Sequence, residues 1–256
     1  MDFNFDKSLA ECYKSKSQKV RVMSESWVGK NIFCPICGNP QICNLANNMP
    51  VADLRCDNCG EIFELKSKCG KSSSKITDGA YSTMIERINS MDNPDLFVLN
   101  YSGSYEVTDL CLVPKFFFTE SIIEKRKPLA PTARRSGWIG CNILLDCIPM
   151  QGRLKIIEGQ KLCNSSDIVD AYARIKKLST DSMEKRGWLM DVLNCVNATK
   201  AADFSLKDIY AFSEQLRKKH INNHNIEAKI RQQLQILRDK GFIEFTDRGH
   251  YRKITY

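Results

Sequence analysis

The most informative segment of the sequence is residues 50–66, PVADLRCDNCGEIFELK. Its last six residues alternate in character, which predicts a β-strand with Glu64 and Lys66 on one face and Phe63 and Leu65 on the other. The charged face is free to meet solvent or a ligand. The apolar face is expected to pack on a hydrophobic core.

Two CxxC pairs surround this stretch, and they consist of Cys34, Cys37, Cys56 and Cys59. The 18 residues between the pairs are typical of a four-thiolate zinc ribbon. A glycine follows each pair and lets the backbone curl so that its amides face the thiolates. Four thiolates fill a tetrahedral shell, so the pattern predicts structural rather than catalytic Zn²⁺. The alternative is that the four cysteines are paired by chance in a reduced core.

The composition excludes a mainly disordered chain, since 43% of the 256 residues are hydrophobic and 27% are charged. A net charge of +8 favours a polyanionic partner. The first nine residues, MDFNFDKSL, carry no signal sequence, and no apolar run is long enough for a membrane span. We therefore expect a soluble, cytoplasmic protein without a membrane partner. In that reducing compartment, the cysteines outside the two pairs are expected to be small buried residues: Cys12, Cys43, Cys69, Cys111, Cys141, Cys147, Cys163 and Cys195.

Asp53 precedes Glu64 by eleven residues and Lys66 follows, an order that resembles the active site of PD-(D/E)xK nucleases. The carboxylates of Asp53 and Glu64 suit Mg²⁺, with the backbone carbonyl of Leu65 as a further ligand. Lys66 is expected to orient or help deprotonate the attacking water and to offset charge on the phosphorane. The alternative is a solvated strand face on which Glu64 and Lys66 form only an ion pair.

Helices and strands alternate over the rest of residues 1–181, which predicts an α/β core. The last helix of this part is expected to take its cap from Ser165, Ser166 or Asp167. The predicted elements are a helix over 81–91, strands over 96–101, 105–113 and 154–157, and a helix over 164–178.

Residues 115–138 carry six basic and two acidic residues together with two prolines and Gly137, which predicts a loop. A basic loop that presents Trp138 suits phosphate contacts and an apolar contact to a base or methyl group. The alternative is a solvated charge run with Trp138 in the core. The DNA contacts expected from this loop are Arg126, Lys127, Arg134, Arg135 and Trp138.

Residues 182–256 predict three helices, over 188–199, 206–220 and 226–240, followed by a two-stranded hairpin that turns at 247–249. This order is typical of a winged helix-turn-helix, whose third helix enters the major groove. The alternative is a winged helix that binds another protein. The DNA contacts expected here lie on an outward face of the third helix and on the wing: Lys229, Arg231, Gln232, Gln233, Gln235, Arg238, Arg248, Arg252 and Lys253.

Together these residues resemble the DpnI family of methyl-directed, type IIM restriction endonucleases. The resemblance covers essentially the whole chain and implies two domains. Residues 1–181 would form an α/β (α+β) PD-(D/E)xK nuclease core with an inserted zinc ribbon, and residues 182–256 an α-rich winged helix-turn-helix domain. The similarity lies in segments 34–39 (CPICGN), 50–53 (PVAD), 63–68 (FELKSK), 78–81 (DGAY), 126–135 (RKPLAPTARR), 137–142 (GWIGCN) and 229–240 (KIRQQLQILRDK).

This resemblance implies Mg²⁺-dependent, blunt-ended cleavage of double-stranded DNA at GATC sites that carry N6-methyladenine. It places catalysis on Asp53, Glu64 and Lys66, structural zinc on the four paired cysteines, and Trp138 near the adenine methyl groups. It also implies that both domains recognise methylated DNA and that the protein is a bacterial, cytoplasmic monomer. The alternative function is a zinc-ribbon and winged-helix regulator that binds DNA without cutting it.

Overall fold

The computed structural model describes residues 1–45, 52–71, 73–90 and 93–254. The described helices are α1 (Lys16–Asn31), α2 (Tyr81–Ser90), α3 (Ser165–Lys176), α4 (Met183–Ala198), α5 (Leu206–Tyr210), α6 (Ser213–Lys219) and α7 (Ile226–Asp239). The described strands are β1 (Cys43–Asn44), β2 (Leu54–Arg55), β3 (Ile62–Cys69), β4 (Lys75–Ala80), β5 (Asp95–Tyr101), β6 (Val107–Val113), β7 (Ile123–Lys125), β8 (Gly140–Leu144), β9 (Leu154–Glu158), β10 (Lys161–Leu162), β11 (Asp203–Ser205), β12 (Ile243–Asp247) and β13 (His250–Lys253).

A seven-stranded mixed sheet forms the centre of the larger part, in the order β1-β2-β3-β5-β6-β9-β10. Strands β3 and β5 run parallel, and the other neighbouring pairs are antiparallel. Phe63 and Leu65 are buried, as the alternation predicts, and the Phe63 ring lies 4.9 Å from the Phe97 ring between centroids. Their burial fixes which face of β3 carries Glu64 and Lys66. The predicted strands over 96–101, 105–113 and 154–157 are confirmed as β5, β6 and β9.

A second, antiparallel sheet has the order β4-β8-β7, and helix α2 packs against it. The helix predicted over 81–91 is confirmed to Ser90, and Met91 lies outside the described residues. The prediction of one loop over 115–138 is wrong for its first half, which forms two short 3-10 turns and β7. The reason is burial of Phe116, Phe117 and Phe118, which ties that half to the core.

Helix α3 shows a second difference from the sequence prediction. Its cap is Asn164, whose side chain accepts a hydrogen bond from the Ser166 amide at 3.0 Å. An asparagine in extended backbone satisfies one of the free amides of the first helical turn as well as Ser or Asp does. The expectation of a cap among Ser165, Ser166 and Asp167 is therefore wrong by one to three residues.

The cysteines outside the CxxC pairs are not uniformly buried. Cys141 and Cys195 are buried, and Cys111 and Cys163 are half-buried. The expectation of burial is wrong for the other four, which lie in turns or in strands at positions that face solvent: Cys12, Cys43, Cys69 and Cys147.

The C-terminal part is the predicted helix-turn-helix with a wing. Ser205 and Asp208 form a capping box at the start of α5, but the helix predicted over 206–220 is broken into α5 and α6 at Phe212. The half-buried Phe212 ring packs on the core from this break. Strand β11 pairs with β13 beside the hairpin, so the wing sheet has three strands rather than two. Gly249 turns the hairpin with a φ of +74°.

Helix α4 connects the two parts of the molecule. Arg186 is buried and donates to the carbonyl of Phe118 at 3.0 Å. Gln151 and Asn197 exchange two amide hydrogen bonds, of 3.0 and 2.8 Å, close by. These contacts fix the helical part against the aromatic turns of the sheet domain. Within the described ranges, no helix has both the length and the apolar character needed to span a bilayer.

Candidate active site and cysteine cluster

The hairpin of β2 and β3 brings Asp53 next to the charged face of β3. The Asp53 amide donates to the Phe63 carbonyl at 2.9 Å, and its Oδ2 accepts from the Leu65 amide at 2.8 Å. Asp53, Glu64, Leu65 and Lys66 then line one open cleft of about 860 Å³. The three residues that the sequence selects as catalytic therefore face the same cavity. Pro50 and Val51 of the predicted PVAD motif lie outside the described residues.

Lys66 lies between two carboxylates. Its Nζ is 2.6 Å from Oε1 of Glu64 and 2.6 Å from Oδ1 of Asp78. Burial disfavours the charged lysine, but the two carboxylates outweigh burial and raise its pKa above the usual value. Lys66 is therefore held as an ammonium ion beside Glu64.

The carboxylates of the cleft are close enough to perturb one another. Burial raises the pKa of Glu64, and Asp78 and Asp53 act in the same direction against the opposing charge of Lys66. Burial also raises the pKa of Glu25 on α1, which faces Asp53. Crowded, partly desolvated carboxylates are the oxygen donors that a hard divalent cation neutralises. The donor set of Asp53 and Glu64 thus fits Mg²⁺.

The sequence analysis did not select several charged residues at or beside this cleft, among them Arg21, Glu25 and Asp78. Arg21 and Glu25 reach the cleft from α1, where Arg21 Nη2 is 3.7 Å from Asp53 Oδ1. No local pattern connects that helix to β3. Asp78 did leave a signal, because it follows Ile76 at alternate spacing and so places a carboxylate on the inward face of a strand.

The four paired cysteines converge on one point, where their sulfur atoms all lie within 4.8 Å of one another. Sγ of Cys34 is 3.7 Å from Sγ of Cys59, and Sγ of Cys37 is 3.6 Å from Sγ of Cys56. A tetrahedron with Zn–S bonds of about 2.3 Å has sulfur–sulfur edges of about 3.8 Å. The cluster is therefore compatible with one structural Zn²⁺ ion.

Each CxxC pair forms a tight turn closed by the glycine that follows it. Gly38 and Gly60 have φ of +74° and +77°, and their amides donate to the carbonyls of Cys34 and Cys56 at 2.9 and 2.8 Å. A side chain at either glycine would strain this left-handed backbone. The second turn joins β2 to β3, so the cysteine cluster holds the hairpin that carries the carboxylates.

Trp138 lies in the irregular segment 126–139 and is half-buried. The Arg135 guanidinium is 4.9 Å from its ring centroid, and the ring covers Gly140 so closely that a Cβ there would be 2.8 Å away. The tryptophan is therefore held in place at the surface and does not belong to the core. The basic residues predicted beside it are exposed: Arg126, Lys127, Arg134 and Arg135.

Helix α7 presents most of its predicted polar face to solvent. The prediction that Gln233 points outward is wrong, since Gln233 is only 3% exposed. It lies three residues after the buried Ile230 and next to Leu234, and the helical period turns it towards the core. Lys229 is half-buried, with its Nζ 5.9 Å from the Trp188 ring centroid. The exposed residues of the predicted set are Arg231, Gln232, Gln235 and Arg238.

The predicted wing residues differ in whether their side chains are exposed or already bonded within the domain. Arg248 is exposed in the turn of the hairpin. Arg252 Nε lies 2.7 Å from Oδ1 of Asp203, and Lys253 Nζ donates to the Thr199 carbonyl at 2.6 Å. Lys253 therefore points back into the domain rather than towards a ligand.

The fold and the site define a class of protein: a mixed α/β domain with a carboxylate–lysine cleft and a four-cysteine cluster, joined to a helix-turn-helix domain. The model of the DpnI, or Dam-replacing, family matches residues 1–181, and that of the Dam-replacing HTH domain matches residues 184–253. The chain belongs to the DpnI family. This membership and the helix-turn-helix domain imply that it binds DNA.

Proposed function

We propose that the chain is a type II (IIM) restriction endonuclease that cleaves double-stranded DNA at GATC sites carrying N6-methyladenine and leaves blunt ends. The observation that carries the proposal is the convergence of Asp53, Glu64 and Lys66 on one open cleft. Family membership supports it, since DpnI relatives imply methyl-dependent cleavage. The target sequence, the methyl group and the blunt ends rest on the resemblance of the motifs.

The catalytic metal in this proposal is Mg²⁺, held by Asp53, Glu64 and the backbone carbonyl of Leu65. When bound, it would supply positive charge to the phosphate and a polarised water molecule. The chain positions its own donors beforehand, because the Leu65 amide fixes Asp53 at 2.8 Å. Arg21 at 3.7 Å offsets part of the negative charge of Asp53. Zn²⁺ at the cysteine cluster has a structural role in this proposal.

Lys66 contributes charge and orientation. Because Glu64 and Asp78 each lie 2.6 Å from its Nζ, Lys66 is held as an ammonium ion, which is a poor acceptor for the proton of the attacking water. As an ammonium ion it can donate hydrogen bonds to that water and offset the charge that develops on the phosphate. Of the two roles expected from the sequence, we therefore favour orientation over deprotonation.

DNA recognition is proposed for two separate surfaces. One is the exposed basic loop around Trp138, which belongs to a nuclease domain of residues 1–181. The other is the exposed face of α7 with Arg231 and Gln232, together with Arg248 of the wing, in a domain of residues 182–256. The net charge of +8 supports phosphate contacts on both. We propose that a monomer uses them together on methylated DNA in the bacterial cytoplasm.

The alternative is a regulator that binds DNA and does not cut it. Zinc and a winged helix would serve such a protein equally well. A regulator has no need, however, for a lysine that lines an open cleft and lies 2.6 Å from two carboxylates. Perturbed ionisable groups that cluster in a cleft favour a catalytic site.

The deciding experiment compares plasmid from a host that methylates adenine in GATC with the same plasmid from a host that does not. Each is incubated with the full chain and Mg²⁺, and the ends are sequenced. The proposal expects blunt-ended cutting of the methylated plasmid alone. Intact methylated plasmid refutes the nuclease, and equal cutting of both plasmids refutes methyl dependence.

A second experiment tests the site with Lys66→Ala. We expect this variant to lose cutting in Mg²⁺ and to keep its affinity for methylated DNA in Ca²⁺. Lys155→Ala is the matched control, because it removes an exposed lysine on β9 that pairs with Glu158 outside the cleft. Cutting by Lys66→Ala at the rate of the control would remove Lys66 from the active site.

A further inference from the structure

Asp78 is the most buried ionisable side chain beside the cleft. It belongs to β4 in the antiparallel sheet β4-β8-β7, and its side chain is 4% exposed. Its Oδ1 is 2.6 Å from Nζ of Lys66 on β3, which is part of the larger sheet. The ion pair therefore joins the two sheets directly behind the proposed catalytic lysine.

The backbone around Asp78 is shaped to direct this carboxylate. Asp78 pairs with Cys141 on β8, and the register shifts between Asp78 and Ala80, which marks a bulge. The Gly79 amide donates to Oδ1 of Asp78 at 2.7 Å. Asp78 itself keeps the regular pairing, and the alternation of β4 places it on the same inward face as Ile76. On that face its carboxylate meets Lys66.

The second oxygen of Asp78 is unusual. Oδ2 is buried and, among the residues that the structure describes, has no hydrogen-bond partner. A buried carboxylate oxygen without a partner costs stability, and such groups in native proteins commonly have a functional reason. The buried position that leaves Oδ2 without a partner is also the position that brings Oδ1 to 2.6 Å from Nζ of Lys66.

We infer that Asp78 is the positioning residue for Lys66, an inference that rests on the proposed nuclease function. Lys66 has two carboxylate partners, and the proposed catalysis engages one of them, Glu64, with the metal. Asp78 then remains as the partner that holds Nζ at the cleft. Without it, the flexible lysine side chain is free to follow Glu64 or to turn to solvent.

The test uses Asp78→Asn, which keeps the shape of the side chain and removes its charge. We expect single-turnover cleavage at saturating Mg²⁺ to fall about 100-fold, the scale of a misplacement of about 1 Å at a catalytic group. DNA affinity in Ca²⁺ and the Mg²⁺ concentration at half-maximal rate should stay within about two-fold, and the melting temperature within a few degrees, since the contact acts on orientation alone. Glu158→Gln, which removes one charge from an exposed ion pair, is the matched control.

Each outcome has one meaning. A wild-type chain that fails to cut methylated plasmid rejects the proposed function and not the contact. If the wild type cuts and Asp78→Asn cuts at the same rate, Asp78 does not position Lys66. A raised Mg²⁺ requirement at an unchanged maximal rate makes Asp78 a metal ligand and overturns the inference. If Asp78→Asn unfolds, Asp78→Glu decides, because it keeps the charge and must retain part of the rate.

Discussion

The cysteine cluster gives a prediction that can be worked through in numbers. Cys59 is the ligand to replace, because it is exposed, whereas Cys34 and Cys56 are completely buried. Replacing a buried cysteine would combine metal loss with a packing defect. Cys59→Ser removes one thiolate at the surface and leaves the core intact. Its effect therefore measures the metal site alone.

The expected loss follows from the number of ligands. Structural Zn²⁺ contributes about 10–16 kcal/mol in small zinc domains, so one thiolate of four corresponds to about 2.5–4 kcal/mol. For a chain of this size, about 1 kcal/mol moves the melting temperature by about 2–4 °C. Cys59→Ser should thus lower the melting temperature by about 5–15 °C. It should also slow cleavage, since the turn at Cys56 to Cys59 joins Asp53 to Glu64.

The assay combines zinc content per chain, measured by mass spectrometry, with thermal unfolding followed by circular dichroism. Cys12→Ser is the control, because Cys12 is exposed and lies far in sequence from both CxxC pairs. The control should keep one zinc ion per chain and the wild-type melting temperature. A Cys59→Ser protein that keeps one zinc ion per chain and has the melting temperature of the control would refute the four-thiolate site.

Three further predictions follow from the core, the ionisable groups and the DNA surface. Phe63→Ala, which removes a completely buried ring stacked at 4.9 Å on Phe97, should lower the free energy of unfolding by about 3–5 kcal/mol in urea titration; a loss below about 1 kcal/mol would contradict the packing. Burial raises the pKa of Asp95 to about 6, so the folded chain retains a proton between about pH 4 and 6 that the unfolded chain has lost, and this group makes stability fall as pH rises through that window. In the wild type, this group should lower the free energy of unfolding by about 3 kcal/mol at most between low and high pH, and Asp95→Asn should remove that change. If the urea midpoints of variant and wild type change by the same amount between pH 4.5 and 6.5, the assignment is refuted. Arg231→Ala should weaken DNA binding in gel shifts and flatten its salt dependence, whereas Gln233→Ala, at a buried position, should act on stability instead; the reverse result would contradict the orientation of α7.

The sequence predicted the site best where the chemistry is local. The CxxC spacing selects all four clustered cysteines, and the alternation around Phe63 gives the correct face of β3. Both patterns act over a few residues, so no knowledge of distant contacts is needed. The predictions of a helix over 226–240 and of a hairpin turn at 247–249 are confirmed for the same reason, since both depend on short local patterns.

Apart from the cap of α3, which is a local difference, most of the wrong predictions concern contacts between distant segments. Phe212 breaks a helix that local propensity would continue, and the Phe116 to Phe118 run folds a predicted loop into the core. Gln233 is buried although its residue type suggests the surface. Tertiary packing overrides propensity in each case, because the gain from burial exceeds the small local preference.

The sequence pattern alone selects the residues of the proposed site: the thiolates of the cluster, the carboxylates Asp53 and Glu64, and Lys66. The groups that surround them become visible only in the folded chain. It places Arg21 and Glu25 of α1 at the same cleft and Asp78 of the second sheet at 2.6 Å from Lys66. The difference has a physical cause. Spacing along the chain fixes which side chains share a strand or a turn, because these neighbours are close in sequence. The protonation of a buried ionisable group, in contrast, depends on every element packed against it, however distant in sequence.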